Sequence, residues 1–177
     1  MLPLRAACAI LFLSALLLPA CRKAETAIAR PPVILISIDT LRADRLPAYG
    51  SKRIATPAID RLASEGIVFE NAYAHVPLTL PSHVTMMGGT LPWQNGVRSN
   101  IGYRFDPGTA PTLPGLLKEH GYVTAGAVSS YVLRRETGMG PMFDSYLDSM
   151  EVWDSATLGA LQRPGDETVR AALGWLD

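Results

Sequence analysis

The succession of apolar and polar positions divides the chain into an address, a tether and an α/β body. Arg5 is followed by the apolar run Ala6 to Leu18, which predicts a secretory signal and is short for a membrane span. A polar, alanine-rich stretch continues to Arg30, and Pro31-Pro32 closes it. Val33-Ile34-Leu35-Ile36-Ser37-Ile38 is β-branched, apolar and of strand length. It lacks strict alternation, so it predicts a strand buried on both faces of a parallel sheet. Thr56-Pro57 predicts a helix start, with Ile59, Leu62 and Ala63 on one face and Gly66 as the stop. Ile67-Val68-Phe69 begins a second extended segment.

The most ordered punctuation lies between His75 and Gly89. Thr79 stands two residues before Pro81, an apolar turn follows, and Gly88-Gly89 ends it. Proline suits the first turn of a helix and glycine suits its end. The pattern predicts a short helix with Thr79 at its N-terminus, its free N–H groups directed at Thr79 and a bound anion. Gln94-Asn95-Gly96 reads as a turn. Thr112 then caps a short helix that Gly121 stops, and Tyr122 to Val128 predicts a buried strand. From Asp166 a last helix begins, with Val169, Leu173 and Leu176 on one face. Strand, helix and strand in this order argue for crossover connections and a parallel sheet.

The chain's 177 residues suit a single domain, and 16 basic against 16 acidic residues imply no nucleic-acid partner. The two cysteines, Cys8 and Cys21, both lie in the address, so the body has no thiol, disulfide or cysteine-based metal site. Leu18-Pro19-Ala20-Cys21 resembles a bacterial lipobox, with Cys21 as the lipidated residue. The organisation expected is a signal peptide over residues 1–21, a tether over 22–31 and the body over 32–177. The alternatives are an ordinary cleaved signal and an uncleaved anchor. All three export the protein, to the periplasm or to a lipid anchor on the cell envelope.

Candidate chemistry gathers around two positions. Asp39 stands at the C-terminal end of the first predicted strand, where functional groups of open α/β sheets cluster. An acid there serves as metal ligand, general base or turn former. Thr79 is a candidate nucleophile. His83, about one helical turn beyond it, is either an anion ligand or a supporting histidine. Arg98 and Asn100 are candidate substrate contacts, against plain loop hydrogen bonding. His75 is a weaker candidate. His120, ahead of Gly121, suits a helix C-terminus. Trp93 reads as packing, Asp60 and Glu65 as surface, and Asp144 and Asp148 as minor candidates for ligands.

Two blocks, Ile36-Ser37-Ile38-Asp39-Thr40-Leu41-Arg42-Ala43-Asp44 and Thr79-Leu80-Pro81-Ser82-His83, flank Thr56-Pro57-Ala58-Ile59-Asp60-Arg61-Leu62-Ala63. This ordered set resembles the N-terminal part of a sulfatase, within the alkaline phosphatase superfamily. The resemblance implies an α/β, alkaline-phosphatase-like three-layer sandwich with a mostly parallel sheet, of which this chain would hold an incomplete part. It implies that Asp39 binds a divalent cation, calcium or zinc, and that Thr79 is both nucleophile and metal ligand. Many sulfatases carry a second acid where this chain has Thr40. Their Cys/Ser-x-Pro-Ser-Arg motif reads Thr79, Leu80, Pro81, Ser82 and His83 here, so no formylglycine is expected and His83 stands in for the arginine. Gly121-Tyr122-Val123-Thr124 matches the start of a second motif, whose later lysine and histidine are absent from Val128-Ser129-Ser130-Tyr131. Gly138 to Asp144 also resembles the family. An Asp-His pair that normally completes the metal site lies beyond this chain's span.

The function expected is hydrolysis of small anionic sulfate esters, with little turnover by these residues alone. An unmodified threonine with a single acid also resembles phosphodiester or phosphonate hydrolases and phospho-group transferases of the superfamily. A non-catalytic, lipid-anchored remnant is the reading from a different class.

Overall fold

The computed structural model describes residues 30–150 and 161–176. The signal run, Cys21 and nearly all of the tether lie outside the described residues. The chain divides between Ile34 and Leu35. On the first side, Arg30 to Ile34 are irregular and exposed. Every element below belongs to the second side.

Five α-helices are described: α1 (Pro57–Glu65), α2 (Thr79–Gly88), α3 (Pro92–Asn95), α4 (Leu113–Glu119) and α5 (Gly165–Leu176). Two three-residue strands, β1 (Ala125–Ala127) and β2 (Ser145–Leu147), pair in parallel with Gly126 opposite Tyr146. The connection between them runs through short 3-10 turns. Gly126 has a packing reason to be glycine. A Cβ there would lie 2.7 Å from the Tyr146 ring.

Local punctuation worked as the chemistry of helix ends requires. Pro57 opens α1 after Thr56, although the Thr56 hydroxyl donates to Asp60 Oδ1 (3.1 Å) and caps no backbone N–H. Thr112 Oγ1 accepts from Gly115 N at the start of α4. Gly89 closes α2 in the left-handed region at φ 61°, which glycine adopts without steric penalty.

The core forms beneath α2. Leu80 and Val84, one turn apart on its inner face, join Val97, Phe105, Leu133, Met139, Met142 and Tyr146. The loop after Arg135 can close on this core because Gly138 has no side chain. At φ 92° a Cβ on Gly138 would sit 1.9 Å from the Phe105 carbonyl oxygen. Tyr146 buries its ring and donates its hydroxyl to Leu133 O (2.6 Å), and this burial pushes the phenol well above its ordinary value.

Three sequence expectations are corrected. Val33 to Ile38 forms no strand, and its apolar side chains are 53–72% exposed. A strand needs a ladder, and among the described residues only β1 and β2 pair as strands. Ile67 to Phe69 is likewise outside any strand, with Ile67 84% exposed. The Tyr122–Val128 strand shrinks to Ala125–Ala127 and is half-buried, with Val123 exposed.

One buried cation escaped the sequence reading. Arg163 donates to the carbonyls of Val128 (2.8 Å) and Leu147 (2.9 Å), just beyond the ends of β1 and at the end of β2. Its Nε donates to Thr168 Oγ1 on α5, and its own N–H to Ser129 O. A planar fork of donors suits converging carbonyls, so Arg163 ties both strands to α5.

Candidate active site

Helix α2 presents two faces. Leu80 and Val84 point into the core. Thr79 and His83, four residues apart, share the other stripe and are half-buried. Thr79 therefore rests on a helix whose rotation is fixed by a packed inner face.

Asp39 reaches this helix from forty residues upstream. The Thr79 hydroxyl donates to Asp39 Oδ2 at 3.1 Å, and the carboxylate is exposed. The backbone immediately after Asp39 is unusual. Thr40 has φ 57°, the only non-glycine residue with positive φ among the described residues. A β-branched side chain is poorly tolerated there, so the turn stores strain on the order of 1–3 kcal/mol. Strain of this kind is expected where a side chain must be aimed rather than merely accommodated.

The α2 N-terminus is less open than the sequence suggested. Ser82 N donates to Leu78 O (3.1 Å), Pro81 has no N–H, and Leu80 N donates to Asn100 Oδ1 (2.9 Å). Among the described residues this leaves Thr79 N as the one donor of that turn facing no protein acceptor. The several free N–H groups expected for an anion reduce to one.

His83 Nδ1 lies 2.7 Å from the Thr79 carbonyl oxygen. A carbonyl only accepts, so Nδ1 carries the proton and Nε2 is the ring's free position. The histidine thus braces the first turn whatever else it does. Asn100 is brought to the start of α2 through its side-chain oxygen. Arg98 is exposed beside buried Val97, and His75 is exposed ahead of the helix. His120 caps α4 and bonds back to Leu116 O through Nδ1 (2.8 Å).

The minor acidic candidates are occupied elsewhere. Asp144 Oδ2 accepts from the N–H (2.8 Å) and hydroxyl (2.9 Å) of Thr124, while Oδ1 faces Lys118 Nζ at 3.1 Å. The Thr124 backbone bond, then the Lys118 and Thr124 side-chain bonds, hold this carboxyl below the ordinary aspartate value. Asp148 accepts from Arg135 N (2.6 Å). Among the described residues no group of three or more His, Cys, Asp or Glu is placed to hold a metal. Two surface hollows, of about 290 and 450 Å³, lie at Tyr131/Arg134/Glu136/Asp148 and at Arg104/Phe105/Pro141 rather than at Thr79.

The family model described as Sulfatase matches residues 31–169, a span that contains Asp39, Thr79 and everything that positions them. The chain belongs to the sulfatase family. This sulfatase chain is 37% identical over 105 residues to a Delta 4,5-hexuronate-2-O-sulfatase of Bacteroides thetaiotaomicron, covering 58% of this chain and 22% of that protein. It is 30% identical over 134 residues to human N-acetylgalactosamine-6-sulfatase, covering 70% and 25% respectively. A solved structure of a 2-O GAG sulfatase superposes with TM-score 0.53 at 31% identity, over 67% of this chain and 25% of that one. That likeness establishes the alkaline-phosphatase-like α/β fold, of which the β1–β2 pair and its surrounding helices are a part. The chain spans about a quarter or less of the length of these relatives. Among the described residues no helix is long and apolar enough to cross a membrane.

Proposed function

We propose that this chain carries the nucleophile-bearing front of an exported, metal-dependent ester hydrolase, with Thr79 as nucleophile. The observation that supports this most directly is the 3.1 Å contact between Thr79 Oγ1 and Asp39 Oδ2. It unites the two residues that the family pattern marks, at the first turn of a helix braced from the other side by the core.

Asp39 and Thr79 are both oxygen donors, a set that suits a hard divalent cation such as calcium better than zinc. They fit as two of its ligands. When bound, such a cation supplies charge neutralisation and eases ionisation of a coordinated hydroxyl. A calcium ion takes about six to eight oxygens, so residues 1–177 alone are expected to turn over negligibly.

In the reaction proposed, Thr79 Oγ1 forms a bond to the sulfur or phosphorus of the ester. The bond to the departing oxygen breaks, that oxygen takes a proton from water and leaves as the alcohol, and the Thr79 proton passes to Asp39 Oδ2, already within hydrogen-bonding range. The hydroxide left by that water then bonds to the sulfur or phosphorus, the bond to Thr79 Oγ1 breaks, and Asp39 returns its proton to Oγ1, restoring hydroxyl and carboxylate. Thr79 N–H faces the developing anion. His83 Nε2 would add a donor when the ring is protonated, and Arg98 would meet remaining charge. Secondary alcohols oxidise to ketones, so Thr79 cannot yield the aldehyde of formylglycine.

Relatives named for hexuronate 2-O- and N-acetylgalactosamine-6- sulfatases make a sulfated sugar the first substrate class to test. The unmodified threonine favours a second reading, hydrolysis of a phosphodiester or phosphonate or phospho-group transfer. We also propose export with a lipid anchor at Cys21, on the strength of Arg5 and the Leu18–Cys21 sequence. The discriminating experiment assays full-length protein, metal-depleted and calcium-loaded, on aryl sulfate, aryl phosphodiester and phosphonate. Calcium-dependent turnover that is abolished by Thr79→Ala supports the reading. Full turnover by Thr79→Ala contradicts it. The same preparations carrying Cys21→Ser are expected to move from the membrane to the soluble fraction.

A further inference from the structure

We infer that Asn100 acts as a positioning residue for Thr79, holding the first turn of α2 through Leu80 rather than contacting substrate. This rests on Thr79 being the nucleophile. The residue at the helix N-cap is Leu78, whose side chain offers no acceptor to the turn. A helix start normally needs such an acceptor. Asn100 supplies it from twenty residues downstream, Oδ1 accepting from Leu80 N at 2.9 Å.

The burial at this point decides the strength of the effect. Leu80 is 0% exposed and Pro81 is buried beside it. If Asn100 withdrew, the Leu80 N–H would be left with little access to water, and a buried unpaired donor is strongly unfavourable. The turn would relieve this by shifting toward solvent. Thr79 immediately precedes Leu80, so that shift carries Oγ1 away from Asp39 Oδ2. The bond also uses the N–H that would otherwise face an anion, so the turn presents Thr79 N alone.

The two roles open to Asn100 demand different atoms. Positioning uses Oδ1 as an acceptor, whereas binding an oxyanion uses the Nδ2 hydrogens as donors. Asn100→Asp keeps the acceptor, removes the donors and adds a negative charge. A positioning Asn100 therefore tolerates aspartate better than alanine, and a substrate-binding Asn100 does the reverse.

The test compares Asn100→Ala and Asn100→Asp in the full-length protein by two readouts. One is amide hydrogen exchange at Leu80. The other is kcat and KM on 4-nitrophenyl sulfate and bis(4-nitrophenyl) phosphate. Asn100→Ala is expected to expose the Leu80 amide to exchange and to lower kcat about 100-fold with KM nearly unchanged. Asn100→Asp is expected to restore Leu80 protection and most of kcat. The inference is overturned if Leu80 exchanges equally in wild type and Asn100→Ala, if kcat is unaffected by alanine, or if aspartate is worse than alanine with a raised KM. Thr79→Ala serves as the separate control. If it retains turnover, the nucleophile assignment fails, while Leu80 exchange still decides whether Asn100 holds the turn.

Discussion

Thr79 Oγ1 and Asp39 Oδ2 meet at 3.1 Å although forty residues separate them in the chain. The contact joins a loop carboxylate to a helix start, so it reports tertiary structure rather than local propensity. Asp39→Asn keeps the shape of the side chain and removes its charge. That substitution is expected to weaken calcium binding measured by titration calorimetry and to lower kcat on the order of 100-fold or more in the full-length protein. Unchanged calcium affinity would exclude Asp39 as a ligand.

Thr40 holds φ 57° directly beside Asp39. Asparagine tolerates this region far better than threonine. Thr40→Asn is expected to raise stability by about 1 kcal/mol in urea unfolding, and Thr40→Gly by less because glycine also frees the unfolded chain. Both are expected to lower kcat if the strained turn is what aims Asp39. Loss of stability in Thr40→Asn would show that the turn depends on threonine for another reason.

Asp144 links β1's approach to α4 by accepting from Thr124 and facing Lys118. Its folded value is lowered, first by the Thr124 backbone bond. A depressed carboxyl contributes stability that is fully present above its unfolded value, ordinarily 3.8, and is lost as pH falls through the folded value. Wild-type melting temperature is therefore expected to fall more steeply below that point than that of Asp144→Asn. Parallel acid limbs for the two proteins would contradict this.

Leu80→Ala leaves a cavity under Thr79 and is expected to cost about 2–5 kcal/mol. Gly138→Ala adds one methyl group, yet it meets the Phe105 carbonyl in a backbone conformation alanine disfavours. It is expected to destabilise the protein by at least as much as Leu80→Ala. Chemical denaturation of both variants checks the order.

The parts legible in the sequence were those with local causes. Pro81, Gly88 and Gly89 punctuate α2, and Thr112 and Gly121 punctuate α4, because helix ends are satisfied by nearby atoms. The Val33–Ile38 run was misread because strand formation depends on a ladder elsewhere in the chain. Its composition measures β preference and burial demand, while its side chains stand 53–72% exposed. Arg163 was missed because its acceptors, Val128 O and Leu147 O, lie 35 and 16 residues away. Thr40 was missed because threonine is a residue type that least advertises a left-handed backbone. In the candidate site, Asp39 and Thr79 were each marked by position and the structure brings them together. The side-chain oxygen of Asn100 was invisible as a helix cap, since nothing in the sequence says which loop returns to Leu80.

The most direct measurement is covalent trapping on the nucleophile. Full-length protein, calcium-loaded and turning over an aryl sulfate or aryl phosphodiester, is quenched in acid and digested, and its peptides are analysed by mass spectrometry. The account predicts a sulfuryl or phosphoryl ester on Thr79, carried by the replacement hydroxyl in Thr79→Ser and absent in Thr79→Ala. Sustained turnover with the modification on another residue, or with Thr79→Ala as active as wild type, would contradict it.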